Sequence, residues 1–133
     1  MVSRSAEETK AFLLEALDTL FNRRDYEGAA RFWSENYVQH SAYVPPGRDG
    51  LFDMVRSEPP TLRYDNDLVL VEGDNAILHG RFSGTGHGKA MIAMDRFRLQ
   101  DGLLAEHWDV LQDEATAAES RSGLPMFGDA FPA

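Results

Sequence analysis

The 133-residue chain carries 22 acidic against 13 basic residues, a formal charge of −9, and no cysteine. Its size fits one hydrophobic core over 1–133, its acidity argues against a nucleic-acid partner, and the missing thiols exclude disulfides and thiolate metal sites. No apolar run approaches the ~20 residues that cross a bilayer, and Met1-Val2-Ser3-Arg4-Ser5 lacks the apolar stretch of a secretory signal, so the expectation is a cytoplasmic protein without a membrane partner.

Ser5-Ala6-Glu7-Glu8 reads as a capping box, and Leu13, Leu17, Leu20 and Phe21 follow at helical spacing, so a first helix is expected to end near Asn22-Arg23-Arg24. Asp25 is the candidate N-cap of a short second helix that sets Ala29, Phe32 and Trp33 on one side and closes at Asn36. Tyr37-Val38-Gln39-His40-Ser41 reads as a short strand and Pro45-Pro46-Gly47 as a turn. Leu51, Met54 and Val55 mark a third helix that Pro59-Pro60 terminates. The period then changes to about two. Leu62 to Val71, Ala76 to Ser83, Lys89 to Leu99 and Leu103 to Gln112 read as strands, and Gly84-Thr85-Gly86-His87-Gly88 as a hairpin turn without a phosphate-binding pattern.

Helices first and antiparallel strands afterwards give an α+β fold: a cone-shaped, curved, mostly antiparallel sheet under three N-terminal helices, enclosing a pocket. The tail after Asp113 ends in Leu124, Met126, Phe127 and Phe131, and is expected to pack on the body or on a second subunit. Trp108, Val110 and this tail make a homodimer the expected assembly.

The last hairpin admits two readings. A two-residue Asp101-Gly102 turn would place Asp95 beside Trp108, whereas a three-residue Gln100-Asp101-Gly102 loop gathers Asp95, Phe97, His107 and Asp109 on one face. The second is preferred, because it also sets Arg98 near Glu106 on the other face. His107 and Asp109 form a His-x-Asp whose side chains point the same way: an acid/base pair, two metal ligands or an exposed ion pair. No His-rich spacing supplies a third ligand, so no metal is expected. His40 ends its strand where a side chain can enter the sheet–helix gap, or simply bond a backbone carbonyl. His79 and Arg81 share a face, toward either pocket or solvent. Trp33, Tyr37, Met54, His79 and Phe97 are the candidate pocket-lining residues, and His40, Asp95, His107 and Asp109 the candidate catalytic ones.

Two motifs, Tyr37-Val38-Gln39-His40 leading to Gly47, and Asp95-Arg96-Phe97-Arg98-Leu99-Gln100-Asp101-Gly102 running into Glu106-His107-Trp108-Asp109, carry a resemblance to a known family. The chain resembles the nuclear-transport-factor-like superfamily, close to its SnoaL-like polyketide cyclase and ketosteroid isomerase branches. The resemblance sets His40 where the isomerases have a general-base aspartate. It sets Asp95 where they keep a protonated carboxylic acid and the cyclases a histidine, and Asp109 at the cyclases' acid/base aspartate. The isomerases' oxyanion-hole tyrosine falls at Leu17, which donates no hydrogen bond. No nucleotide fingerprint, redox centre or covalent nucleophile is visible. The expected activity is therefore cofactor-independent proton transfer on a small apolar or carbonyl-containing compound, by isomerisation, dehydration or aldol closure, and the alternative is a non-catalytic binding module.

Overall fold

The computed structural model describes residues 3–132. Helix α1 (Ala6–Leu17) starts at the capping box: the Glu8 amide donates to Ser5 Oγ at 3.1 Å and the Ser5 amide to Glu8 Oε1 at 3.0 Å. It continues into a π-helical turn, Asp18–Asn22. There the Asn22 side chain clamps the Tyr64 backbone, accepting from its N–H at 2.8 Å and donating to its carbonyl at 3.1 Å. Asp25 caps α2 through the Gly28 amide, but α2 spans only Tyr26–Ala29.

The expected second helix is thus cut short. Strand β1 (Trp33–Gln39) already begins at Trp33, which pairs with Leu104, and the Leu104 amide donates to the Phe32 carbonyl at 2.9 Å. Pairing with a distant strand overrides the local helical spacing, and Asn36 lies inside β1 rather than at a helix end. Helix α3 (Gly47–Ser57) stops at Glu58, just before Pro59-Pro60.

Strands β2 (Arg63–Glu72), β3 (Asn75–Ser83), β4 (Met91–Gln100) and β5 (Leu103–Asp113) follow the expected segments within a residue or two. The order is β1-β5-β4-β3-β2, with β1 parallel to β5 and every other pair antiparallel. This curled, unclosed mixed sheet wraps one face around α1 and α3. The core sits between them, with Leu13, Leu20, Val55, Leu78 and Leu104 fully buried. Among the described residues no helix is long and apolar enough to cross a membrane.

The last hairpin differs from the preferred reading. Gln100 pairs with Leu103 across a two-residue turn in which both Asp101 (φ 52°) and Gly102 (φ 77°) are left-handed. That register alone would turn Asp95 away from His107. One extra residue corrects it: Leu99 pairs with Leu104 but Arg98 with Glu106, leaving Ala105 as a bulge. Beyond the bulge Phe97 faces His107 and Asp95 faces Asp109. The expected residues share a face, but the bulge rather than a three-residue loop puts them there.

The outer face is partly apolar. Val110 (73 % exposed), Met94 and Ile77 lie on neighbouring strands there, joined by Leu68 and Leu70 of β2. The tail packs back on this face: the His79 ring bonds the Met126 carbonyl at 3.1 Å and meets Phe127 edge-on at 5.5 Å.

On the inner face of β3, Gly80 lies under the Tyr64 ring, and an added Cβ would overlap the phenol. Gly80→Ala is expected to lower stability by about 1–3 kcal/mol through overpacking. A shift of the urea midpoint with unchanged slope is the measurement; an unchanged midpoint would show that the ring yields freely.

Candidate active site

Between the inner face of the sheet and α1 and α3 lies a cavity of about 240 Å³. Its walls are apolar: Leu17 and Phe21 from α1 and the π turn, Leu51 and Met54 from α3, and Phe97 and Leu111 from the sheet. Tyr37, Gln39, Asp95, His107 and Asp109 form a polar end, while Tyr43, Glu58, Thr85 and His87 also border the space. His87, in the glycine-rich turn, is exposed and bonds Asp113 at 3.0 Å, and it also borders this cavity.

The polar end is one connected network. Asp95 (5 % exposed) and His107 (6 % exposed) meet through Oδ1 and Nε2 at 2.7 Å. His107 Nδ1 lies 2.6 Å from Gln39 Oε1, which also accepts the Ser41 backbone N–H at 3.0 Å. An amide N–H can only donate, so this Gln39 atom is the carbonyl oxygen and His107 Nδ1 must carry hydrogen. The contact to Asp95 holds a second hydrogen, because two bare acceptors would repel at that distance. The pair therefore carries one shared proton and no net charge, whichever partner holds it. Phe97 backs the imidazole, ring centroids 4.6 Å apart.

Asp109 stands opposite Asp95 across the β4–β5 ladder. Burial holds its carboxyl proton more tightly than the usual aspartate, an effect the Ser41 hydroxyl and His107 offset in part and the nearby Asp95 reinforces. One ligand atom from each of Asp95, His107 and Asp109 lies within 4.8 Å of the others. The structure thus supplies, in Asp95, the third metal-ligand type that spacing along the chain did not reveal. Both His107 nitrogens are already hydrogen-bonded, so an ion there would have to break the Asp95 or Gln39 contact.

Of the candidate catalytic residues, Asp95, His107 and Asp109 come together and His40 does not. His40 lies on the outer face, its ring stacked on Trp108 at 4.8 Å and bonded to Glu106 at 2.7 Å. Side chains alternate along a strand, so Tyr37 and Gln39 point inward and His40, of opposite parity, points out. The same rule corrects His79: Leu78 and Gly80 face the core, and His79 turns to the tail. Trp33, Tyr37, Met54 and Phe97 do line the cavity. Gln39 and Ser41 were missed, although period-two counting from Tyr37 would have found both.

The SnoaL-like domain family matches residues 14–107, most of the chain. The chain belongs to that family. Its fold is shared with TsrD from Streptomyces laurentii (22 % identity, TM-score 0.69, covering 83 % of this chain and 92 % of that one). It is shared also with a proposed ketosteroid isomerase from Kribbella flavida (19 %, TM-score 0.70, 96 % and 93 %). A third is IdmH from Streptomyces antibioticus, a proposed polyketide cyclase (20 %, TM-score 0.61, 74 % and 88 %). Among curated proteins none matches the chain.

A carboxyl whose proton is held more tightly in the fold than in the unfolded chain adds stability below its unfolded value, 3.8 for aspartate, and loses it as pH rises through the folded value. At neutral pH the charged, partly buried Asp109 is therefore a cost. Asp109→Asn is expected to raise the melting temperature at pH 7, with the gain shrinking as pH falls toward the ordinary aspartate range. A gain independent of pH, measured by thermal scans in matched buffers, would contradict this.

Proposed function

We propose that this SnoaL-like protein is a cofactor-independent enzyme that moves a proton on a small carbonyl compound, by isomerisation, dehydration or aldol cyclisation. The observation that carries the reading is the convergence of Asp95, His107 and Asp109 at one polar end of a mostly apolar cavity. Displaced proton affinity at such a position is what acid/base chemistry requires. Asp109 is the base: burial raises its affinity for a proton, which suits removal of a weakly acidic hydrogen α to a carbonyl. The Asp95–His107 pair holds a mobile proton beside it and can deliver that proton to the product, with Gln39 fixing the imidazole. His40 takes no part, and its role as base passes to Asp109. The proposed cyclase and isomerase among the structural neighbours accord with this chemistry.

The runner-up is a binding module in which the apolar walls hold a ligand and the polar end only anchors it. Deuterium exchange separates the two. With 2-tetralone as probe in D₂O, the protein is expected to speed α-proton exchange over buffer, and Asp109→Asn to slow it about 100-fold or more. Exchange no faster than buffer, with the ketone still bound, would favour the binding module.

The outer face supports a homodimer. Val110, Met94, Ile77, Leu68 and Leu70 form an apolar surface on one side of an open sheet, and Val110 at 73 % exposure lies on a neighbouring strand to the edge strand β1. Sedimentation at micromolar concentration is expected to give a dimer, and Val110→Glu a monomer. A wild-type monomer would contradict the assembly.

A further inference from the structure

Hydrogen-bond directions along β1 decide which donors the cavity leaves free. With the Gln39 oxygen held by the Ser41 N–H, the Gln39 NH₂ faces Tyr37 Oη at 3.2 Å and donates to it. The Tyr37 oxygen accepts, and its own proton is left over: among the described residues no acceptor takes it. Four positions earlier on the same strand Trp33 is 1 % exposed, and its indole N–H has no hydrogen-bond partner among the described residues. It lies near enough to the Tyr37 oxygen to favour the phenolate, without reaching hydrogen-bond geometry. Leaving a buried donor unpaired is costly. Both residues line the cavity. An unspent Tyr37 O–H at the wall of a mostly apolar space, with the enclosed Trp33 N–H behind its oxygen, describes a site for an acceptor.

We propose that the Tyr37 O–H, its oxygen backed by the Gln39 NH₂ and the enclosed Trp33 indole N–H, binds the carbonyl oxygen of the ligand and stabilises it as an enolate oxygen. This rests on the proton-transfer reading above and names its electrophilic half, supplying from β1 the donor that Leu17 cannot. In the step, the Cα–H bond breaks, its electron pair forms the carbon–carbon double bond, and the carbonyl π pair moves onto the oxygen held by the Tyr37 O–H. The Asp109 carboxylate takes the proton, and return of a proton to carbon reverses the flow. Burial, reinforced by the charges of Asp95 and Asp109, pushes the Tyr37 hydroxyl far up, so it remains a donor throughout the working pH range. The charge of Asp109, which has no cation of its own, disfavours a carboxylate ligand. The substrate class is an apolar compound with an uncharged ketone-type oxygen at its buried end.

The test uses 4-nitrophenol, whose ionised form carries an oxygen like that of an enolate and is read by visible absorbance. It is titrated into Asp109→Asn, where the neutral amide stands for the carboxyl after it has taken a proton. The phenolate is expected to bind preferentially, and Tyr37→Phe in the same background to weaken it about tenfold or more, the scale of a hydrogen bond to a charged acceptor. In ¹⁵N-labelled protein the Trp33 indole proton should move downfield on binding, identified against Trp108, the other of the two tryptophans, by Trp108→Phe. A purely structural Tyr37 would leave that resonance unmoved. No binding, binding indifferent to Tyr37→Phe, or a static Trp33 signal would each overturn the proposal. Tyr37-dependent phenolate binding without 2-tetralone exchange would retain the oxygen site and remove the proton-transfer reading.

Discussion

The bulge at Ala105 sets which side of the sheet every later residue of β5 faces, and the site and the outer surface both follow from it. The tight turn at Asp101-Gly102 aligns Leu99 with Leu104, a register that by itself would send His107 and Asp109 outward and Trp108 into the cavity. One unpaired residue reverses the parity. Leu104 and Ala105 are consecutive and both buried, the local signature of a strand that slips by one position while keeping its core contacts. A histidine and an aspartate thereby enter the cavity, and a tryptophan leaves it.

Outside, the displaced Trp108 is covered on both sides, by the His40 ring stacked at 4.8 Å and by the Arg96 guanidinium 4.0 Å from its centroid. Glu106 next to it bonds His40 and Arg98, at 2.7 and 2.9 Å, and these two partners hold its carboxyl below the usual range. The group lies at the surface, only partly buried, so its contribution to stability is small. Its effect is positional: it ties the end of β1 to β4 and β5 and holds His40 on the outer face.

Inside, polar groups sit in an apolar cavity under unequal terms. Asp95 and His107 neutralise one another, and Gln39 anchors the imidazole to the backbone of Ser41. Asp109 has the Ser41 hydroxyl but no cation of its own, and the Trp33 N–H has no hydrogen-bond partner among the described residues. Groups left in that condition are retained against stability, and they collect at one end of the cavity. The arrangement makes chemical sense when a ligand supplies the missing partners.

Local physics was legible in the chain. The capping box at Ser5 and Glu8, the Pro59-Pro60 stop and the alternating runs from Leu62 to Gln112 placed α1, α3 and four strands, because caps, breakers and period-two patterns depend on neighbours only a few residues away. The resemblance of two motifs located Asp95 and Asp109. Even the inward turn of Gln39 was implicit in strand alternation from Tyr37, while His40 and His79 were misplaced by neglecting that rule. Tertiary structure alone decided the rest. Trp33 reads as helical until Leu104, some seventy residues away in the chain, pairs with it and makes it a strand. The bulge at Ala105 was not legible in the sequence of β5 alone, because a register is settled by the summed burial of both paired strands. For the same reason the free donors of Tyr37 and Trp33 emerged only when their partners, brought from elsewhere in the chain, could be counted.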